Sequence, residues 1–225
     1  MAAEKETPRW LPLESNPEVM DQYVRNLGVP EPWAFRDVYG LDSDMLASIP
    51  KPVLAVLLLY PLTKNAEGTK IGSEDASANL FFIKQTIGNA CGTIGIINSI
   101  GNNLDSIAVK PGHLKKLFDE TASMTPDERA KYLENDSGIG EAHDESAHKG
   151  QTQAPDMADS VKHHFVSFVH KDGSLYELDG RRSAPVAHGS TSADNLLTDA
   201  ASVIQDFIKR DENENFAIVA LVKSA

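Results

Sequence analysis

Residues 163–179 read HHFVSFVHKDGSLYELD, two apolar stretches joined by an Asp-Gly pair. Residues 165–169 and 175–178 carry the aromatic and β-branched side chains typical of strands. Asp172-Gly173 between them is a strong signal for a two-residue hairpin turn. Most predicted helices precede this hairpin and the paired strands come late in the chain. This order indicates an α+β fold rather than a doubly wound parallel sheet.

Caps, apolar spacing and turn residues predict the remaining elements. Asn16-Pro17 opens a helix that Gly28 ends, and residues 125–128 have the spacing of a capping box that opens another. The apolar run 53–60 does not alternate with polar residues, which predicts a strand covered on both faces. Further helices are predicted at 41–49, 79–86, 89–100 and 196–209, and a final strand at 216–222.

The composition limits the class of protein. The chain has 225 residues, 41% of them hydrophobic, and its formal net charge is −12. Such an acidic chain is a poor binder of nucleic-acid phosphates or anionic membranes, and a basic partner fits better. One cysteine cannot form an intrachain disulfide, and no stretch has the pattern of a signal peptide or a membrane span. We therefore expect a cytoplasmic protein, with the nucleus left open.

Residues 134–160 interrupt the globular pattern. Ile139 and Met157 are the only large apolar residues in this stretch. A loop of this length inside a compact domain is usually a functional lid or a disordered insertion. Composition alone leaves both interpretations open.

The single cysteine lies in the stretch QTIGNACGT, residues 85–93. If Asn89 is the N-cap, Cys91 lies in the first helical turn, where the helix dipole and unpaired N–H groups stabilise a thiolate and can donate to an oxyanion. Gln85 is a candidate second donor if the backbone bends at Gly88. The alternatives are a small buried cysteine and a solvated helical glutamine.

A cysteine hydrolase also needs a base, and the hairpin distinguishes among the seven histidines. With a two-residue turn, His164 and Asp179 become diagonal neighbours on one face of the sheet, within side-chain reach. Asp179 would then orient the imidazole, as the third group of a catalytic triad does. A three-residue turn would separate them. The alternative is a polar strand histidine and a turn aspartate before Gly180.

Metal and phosphate sites have weaker support. The histidines at 143, 148, 163 and 164 come with neither a cysteine pair nor an HExxH spacing. The glycines at 88, 92 and 95 are not followed by the GK[ST] of a phosphate loop. We therefore predict no metal and no cofactor.

Taken together, these motifs are similar to those of the ubiquitin carboxyl-terminal hydrolases (UCH family, thiol deubiquitinases). The likeness is closest to the small single-domain L-type isozymes, and it covers nearly the whole chain in order. The motifs that carry it are Trp10-Leu11-Pro12-Leu13-Glu14, Asn16-Pro17-Glu18-Val19, Gln85, Asn89-Ala90-Cys91-Gly92-Thr93, His164-Phe165, Leu175-Tyr176-Glu177-Leu178-Asp179-Gly180-Arg181 and His188-Gly189.

The resemblance implies a papain-like α-β-α sandwich, with a central antiparallel sheet flanked by helices and a knotted backbone. Knots are otherwise almost absent from proteins, and nothing in the composition or spacing indicates one. It also implies a single catalytic domain over residues 1–225. Residues 134–160 then resemble the crossover loop of the family, which passes over the catalytic cleft and limits what can leave it.

The resemblance also implies an activity, the hydrolysis of adducts at the C-terminal glycine of ubiquitin. Cys91 is then the nucleophile, His164 the general base and later acid, and Asp179 the residue that orients His164. Gln85 and the Cys91 N–H form the oxyanion hole. The expected ubiquitin contacts are Pro12, Leu13, Glu14, Asn16, Ala147, His148, Gly150, Gln151 and Thr152, with a poorer match at Asn215, Phe216 and Ala217.

Several matters stay open at this point. A ubiquitin-like modifier is a second candidate partner, and we expect the chain to be a monomer. The main alternative function is a module that binds and sequesters monoubiquitin, with slow or incidental hydrolysis. A general cysteine protease is a third reading, which a gating loop disfavours.

Overall fold

The computed structural model describes residues 8–65, 71–151, 162–212 and 215–224. Within them, seven strands form one antiparallel sheet. The strands are β1 Trp33–Asp37, β2 Val53–Pro61, β3 Ser73–Glu74, β4 His163–Lys171, β5 Ser174–Leu178, β6 Val186–Ser190 and β7 Ala217–Lys223. Their order across the sheet is β1-β7-β2-β4-β5-β6-β3. The late strand β7 therefore lies between two strands from the first third of the chain.

Seven helices in the described residues cover the two faces of this sheet. They are α1 Pro17–Asn26, α2 Ser43–Ala47, α3 Cys91–Gly101, α4 His113–Glu120, α5 Pro126–Glu134, α6 Ser137–Ala147 and α7 Leu196–Asp211. Ala55 and Leu57 of β2 face the layer of α1 and α3–α6. Val56 and Leu58 face the layer of α2 and α7. This arrangement confirms the predicted α+β sandwich and the strand buried on both faces.

The helix ends follow the predicted caps. The Asn16 side chain accepts a hydrogen bond from the Glu18 N–H at 2.9 Å, and α1 begins at the next residue, a proline. Gly28, with φ +92°, follows the end of that helix in the left-handed region that favours glycine. Thr125 and Glu128 form the reciprocal bonds of a capping box at the start of α5.

The hairpin has the predicted register. Phe168 pairs with Glu177 and Lys171 with Ser174, which leaves Asp172 and Gly173 as the two turn residues. Their φ angles are +48° and +80°, as a turn of type I′ requires.

The helix predicted at 79–86 is wrong, because this segment has no helical structure. Its backbone is held by side chains from other elements. The Asn98 Oδ1 accepts from the Ile83 N–H at 2.9 Å, and the Arg129 guanidinium donates to the Phe82 carbonyl at 3.1 Å. Asn89 is also not an N-cap. Its φ is +63° and its Nδ2 donates to the Trp10 carbonyl.

The prediction of a continuous loop at 134–160 is wrong over its first half, where α6 forms. The Asp136 side chain caps this helix by accepting from the Ile139 N–H at 3.0 Å. Ile139, His143 and Ala147 recur every four residues and are buried. This buried face is small and partly polar, so a search for large apolar residues misses it. Residues 152–161 lie outside the described residues.

Besides α6, four elements, β1, β3, β6 and α4, were not predicted, because their apolar patterns are short or absent. No described helix has the combination of length and apolar character that a membrane crossing needs. The knot implied by the family resemblance stays a prediction.

Candidate active site

Cys91 is the first residue of α3, which confirms its predicted place in the first helical turn. The residue before it, Ala90, offers no side-chain cap, so the first N–H groups of the helix have no capping side chain. The helix approaches the sheet closely at Gly92, where a Cβ would lie 3.4 Å from the Phe165 ring. The start of α3 therefore packs directly on β4, the strand that carries His164.

His164 and Asp179 form the predicted pair. The Nε2 of His164 lies 2.6 Å from the Asp179 Oδ1, and both side chains are buried. The same carboxylate oxygen accepts the Arg181 N–H at 2.9 Å, which fixes its orientation. A carboxylate at Nε2 keeps a proton on that nitrogen. The other nitrogen, Nδ1, makes no hydrogen bond with the described residues and is the one able to take up a proton.

The electrostatics favour an ion pair between Cys91 and His164. Burial alone would raise the pKa of the Cys91 thiol, but His164, the Phe165 backbone and the Arg181 charge together lower that pKa below its ordinary value. Burial would lower the pKa of His164, but Asp179 and Cys91 raise it to about 9. For Asp179, the interaction with His164 outweighs burial and lowers the carboxyl pKa. A thiol of lowered pKa is more readily converted to its thiolate.

Gln85 lies beside the segment that carries Asp179. Its N–H donates to the Gly180 carbonyl at 2.8 Å, which joins the two segments directly. Its side-chain Nε2 donates to the Ile87 carbonyl at 3.1 Å. Its Oε1 is buried without a hydrogen-bond partner among the described residues. The structure thus brings Gln85 next to the hairpin, although its helix is absent.

The expected ubiquitin contacts near the N-terminus and after α6 lie together. Glu14, Asn16 and Gln151 line one surface cavity of about 570 Å³, together with Asp37. Gly150 packs so closely on Glu14 that an added Cβ would overlap its carboxylate. Two of the expected contacts, Leu13 and Ala147, are buried, and His148 and Pro12 are more exposed. Thr152 lies outside the described residues.

The third expected contact region, Asn215 to Ala217, lies at the start of β7. Leu59 of β2 pairs with Phe165 on one side and with Ala217 on the other. This region is therefore at the same end of the sheet as His164, two strands away. The side chain of Phe216 packs partly against the layer of α7.

Several residues around the site were not predicted. Thr93, two residues after Cys91, bonds to His143 at 2.8 Å, and Asn98 of α3 accepts from the Ile83 N–H in the segment that leads to Gln85. Polar residues inside an otherwise apolar helix are the one sequence signal for such roles, because buried polar groups need partners. Among the described residues, no three metal-ligating side chains come together.

Comparison with known proteins decides the family. Residues 10–209 match the family described as ubiquitin carboxyl-terminal hydrolase, family 1. The chain belongs to this family. A ubiquitin carboxyl-terminal hydrolase of Aplysia californica is 48% identical over 214 residues, which are 94% of this chain and 99% of that protein. Isozyme L1 of Homo sapiens is 43% identical over 222 residues, 95% of this chain and 98% of that protein.

The fold is also found among solved structures. The catalytic domain of Trichinella spiralis UCH37, bound to ubiquitin vinyl methyl ester, matches with a TM-score of 0.80 over 96% of each chain. At 23% identity this match supports the papain-like fold alone. Membership of the family makes the chain a cysteine peptidase and a deubiquitinase of the UCH type.

Proposed function

We propose that this protein hydrolyses small or flexible adducts from the C-terminal glycine of ubiquitin by a Cys-His-Asp mechanism. The observation that carries the proposal is the buried His164–Asp179 pair at 2.6 Å, together with a thiol at the start of a helix. A buried pair of this kind, joined to a cysteine of lowered pKa, is typical of an activated nucleophile.

The reaction begins with the Cys91 thiolate, which attacks the carbonyl carbon of the terminal glycine. Attack forms the carbon–sulfur bond and a tetrahedral oxyanion. As this intermediate collapses to the thioester, the bond from the glycine carbon to the leaving nitrogen or oxygen breaks, and His164 donates to that leaving group the proton that its Nδ1 took from the thiol. Water then attacks the thioester while His164 removes its proton, and the Cys91 thiolate leaves with the glycine carboxylate released. Asp179 holds the imidazole through both steps.

The developing oxyanion needs two donors. The Cys91 N–H at the start of α3 supplies one, aided by the helix dipole. The Gln85 amide supplies the second. Its bond to the Ile87 carbonyl uses one of its two N–H groups and fixes the amide, which leaves the other for the substrate oxygen.

The substrate is proposed from charge and from the relatives. Glu14, Glu18 and Asp37 line the surface cavity where the expected contacts meet, and Arg36 is the one basic residue among the described residues of its lining. This excess of acidic over basic side chains suits a basic protein tail such as that of ubiquitin. The relatives are named ubiquitin carboxyl-terminal hydrolases, and the UCH37 structure holds ubiquitin vinyl methyl ester. A ubiquitin-like modifier of similar tail chemistry is a second candidate substrate.

A size limit is part of the proposal. The stretch 134–160 resembles the crossover loop of the family, and its helix α6 packs on α1. A bridging segment passes a flexible leaving group and excludes a folded domain. Isopeptide-linked chains of folded ubiquitin are therefore proposed to be poor substrates.

The test uses ubiquitin with an electrophile in place of its C-terminal carboxylate. It is mixed with wild type and with Cys91→Ala, and intact masses are measured. A one-to-one adduct on wild type alone is the expected result. Binding without an adduct would contradict the hydrolase and favour the module that sequesters ubiquitin. Absence of both would reject ubiquitin as the partner.

A further inference from the structure

His143 is a buried histidine that the proposed reaction does not use. It lies on α6, and both of its ring nitrogens are bonded. Its Nε2 is 2.6 Å from the Leu11 carbonyl and its Nδ1 is 2.8 Å from the Thr93 hydroxyl. Thr93 is two residues after Cys91, and Leu11 immediately precedes the expected ubiquitin contacts. One imidazole thus joins the substrate-binding segment to the helix of the nucleophile.

The direction of these bonds follows from their chemistry. A carbonyl only accepts, so the Nε2 of His143 carries the hydrogen and donates to Leu11. The neutral ring then accepts at Nδ1 from the Thr93 hydroxyl. The Thr93 hydroxyl is also 3.1 Å from the Tyr23 hydroxyl. These contacts link the elements in the order α1, α3, α6 and the N-terminal segment.

The side chains that make these hydrogen bonds are buried, which keeps water from competing for them. Only 1% of His143 and none of Tyr23 is exposed. Burial lowers the pKa of His143, with smaller opposing effects from the Leu11 carbonyl and Asp144, so the ring stays neutral near pH 7. The Trp10 ring covers the imidazole with 4.6 Å between centroids. A leucine would fill this space, so packing alone does not require a histidine here.

The same N-terminal segment holds the other side of the nucleophile. We define residues 8–13 as the N-terminal strap. The Trp10 N–H donates to the Gly88 carbonyl at 2.9 Å, and the Asn89 Nδ2 donates to the Trp10 carbonyl at 3.2 Å. The strap therefore binds the chain before Cys91 directly and the chain after it through His143. The turn with the nucleophile is fixed on both sides.

We propose that His143 is a positioning residue for Cys91, because it locks the N-terminal strap to the first turn of α3. This inference rests on the proposed hydrolase function, in which Cys91 is the nucleophile. Loss of the imidazole frees Thr93 and Leu11 from each other, so the thiol shifts relative to His164 and Gln85. Displacement of a reacting group by about 1 Å costs on the order of 10²-fold in rate.

Two substitutions separate positioning from packing. His143→Leu fills much of the space of the imidazole with an apolar side chain and removes the hydrogen bonds to Leu11 and Thr93. His143→Gln can donate to Leu11 and accept from Thr93, as the neutral imidazole does. Ser146→Ala is the matched control on the same helix, because the Ser146 hydroxyl is buried and its one bond within the described part of the chain is to the Ala142 carbonyl of its own helix.

The measurements are kcat and KM on a fluorescent C-terminal ubiquitin adduct, the rate of Cys91 alkylation by iodoacetamide, and the thermal midpoint. We expect His143→Leu to lower kcat by roughly 10- to 100-fold with little change in KM, and to change the alkylation rate. His143→Gln should recover most of both, and Ser146→Ala should match wild type.

Wild-type kcat and alkylation in His143→Leu would overturn the inference. So would equal losses in the leucine and glutamine variants that follow the fraction of unfolded protein. A failure of the proposed function is distinguishable, because wild type would then fail to react with the ubiquitin electrophile. The alkylation rates would still report whether His143 acts on Cys91.

Discussion

Gly180 is the point where the segment of Asp179 meets the segment of Gln85, and Gly180→Ala should disturb that contact. A Cβ at this position would lie 2.8 Å from the Ile94 Cγ2, 2.9 Å from the Gln85 Cβ and 3.1 Å from the Gln85 nitrogen. The backbone of Gly180 lies outside the left-handed region, so alanine meets no conformational strain. Only the lack of space opposes the substitution.

The size of the effect follows from these distances. Ordinary contacts of a Cβ begin at 3.4 Å, so Gln85 would have to recede by about half an ångström. It cannot move freely, because its N–H is bonded to Gly180 itself at 2.8 Å. Overpacking of this kind costs about 1–3 kcal/mol of unfolding free energy. Partial loss of an oxyanion donor should lower kcat by roughly 10- to 100-fold, since complete loss costs about 10²–10³.

The assay compares Gly180→Ala with Gly112→Ala, which adds the same methyl group to open space at an extended backbone. Urea unfolding gives the stability and turnover of a fluorescent ubiquitin adduct gives kcat. Alkylation of Cys91 reports whether the contact with Ile94 also shifts α3, the helix that begins at Cys91. A variant that is folded and turns over as fast as wild type would refute the reasoning.

Three further results are expected. The Asp179 carboxylate helps raise the pKa of His164 to about 9, and the imidazolium is present below that pH and lost above it. Asp179→Asn should lower kcat and move the alkaline limb of kcat/KM to lower pH, and an unmoved limb would contradict the pairing. Gln85→Ala should lower kcat by about 10²–10³, whereas an unchanged rate would remove Gln85 from the oxyanion hole. Chains of folded ubiquitin should be cleaved far more slowly than short C-terminal adducts in a gel assay, and equal rates would reject the size limit.

The parts of the site that sequence predicted well are those set by local chemistry. The Asp-Gly turn fixes the hairpin register, and the register alone places His164 beside Asp179. Caps at Asn16 and Thr125 likewise depend only on residues within one turn of helix. Such signals act before any tertiary contact forms.

The parts that sequence missed depend on distant partners. Residues 79–86 are apolar enough for a helix, but Asn98 and Arg129 bind their backbone in an irregular form. The buried face of α6 includes His143, which is stable there because Thr93 and Leu11 satisfy it. Neither partner can be identified from the neighbouring sequence, so these features emerge only when the chain is folded.

The place of β7 in the sheet has a consequence for synthesis. In the described sheet β1 pairs with β7 alone, and β7 is also the outer neighbour of β2. β1 and β2 are synthesised early in translation. The edges that pair with β7 stay unpaired until nearly the entire remaining chain has been made. A nascent chain stopped before residue 217 already contains Cys91, His164 and Asp179. It lacks the strand that joins its first segment to the sheet, so all three of these residues are synthesised before the sheet can be completed.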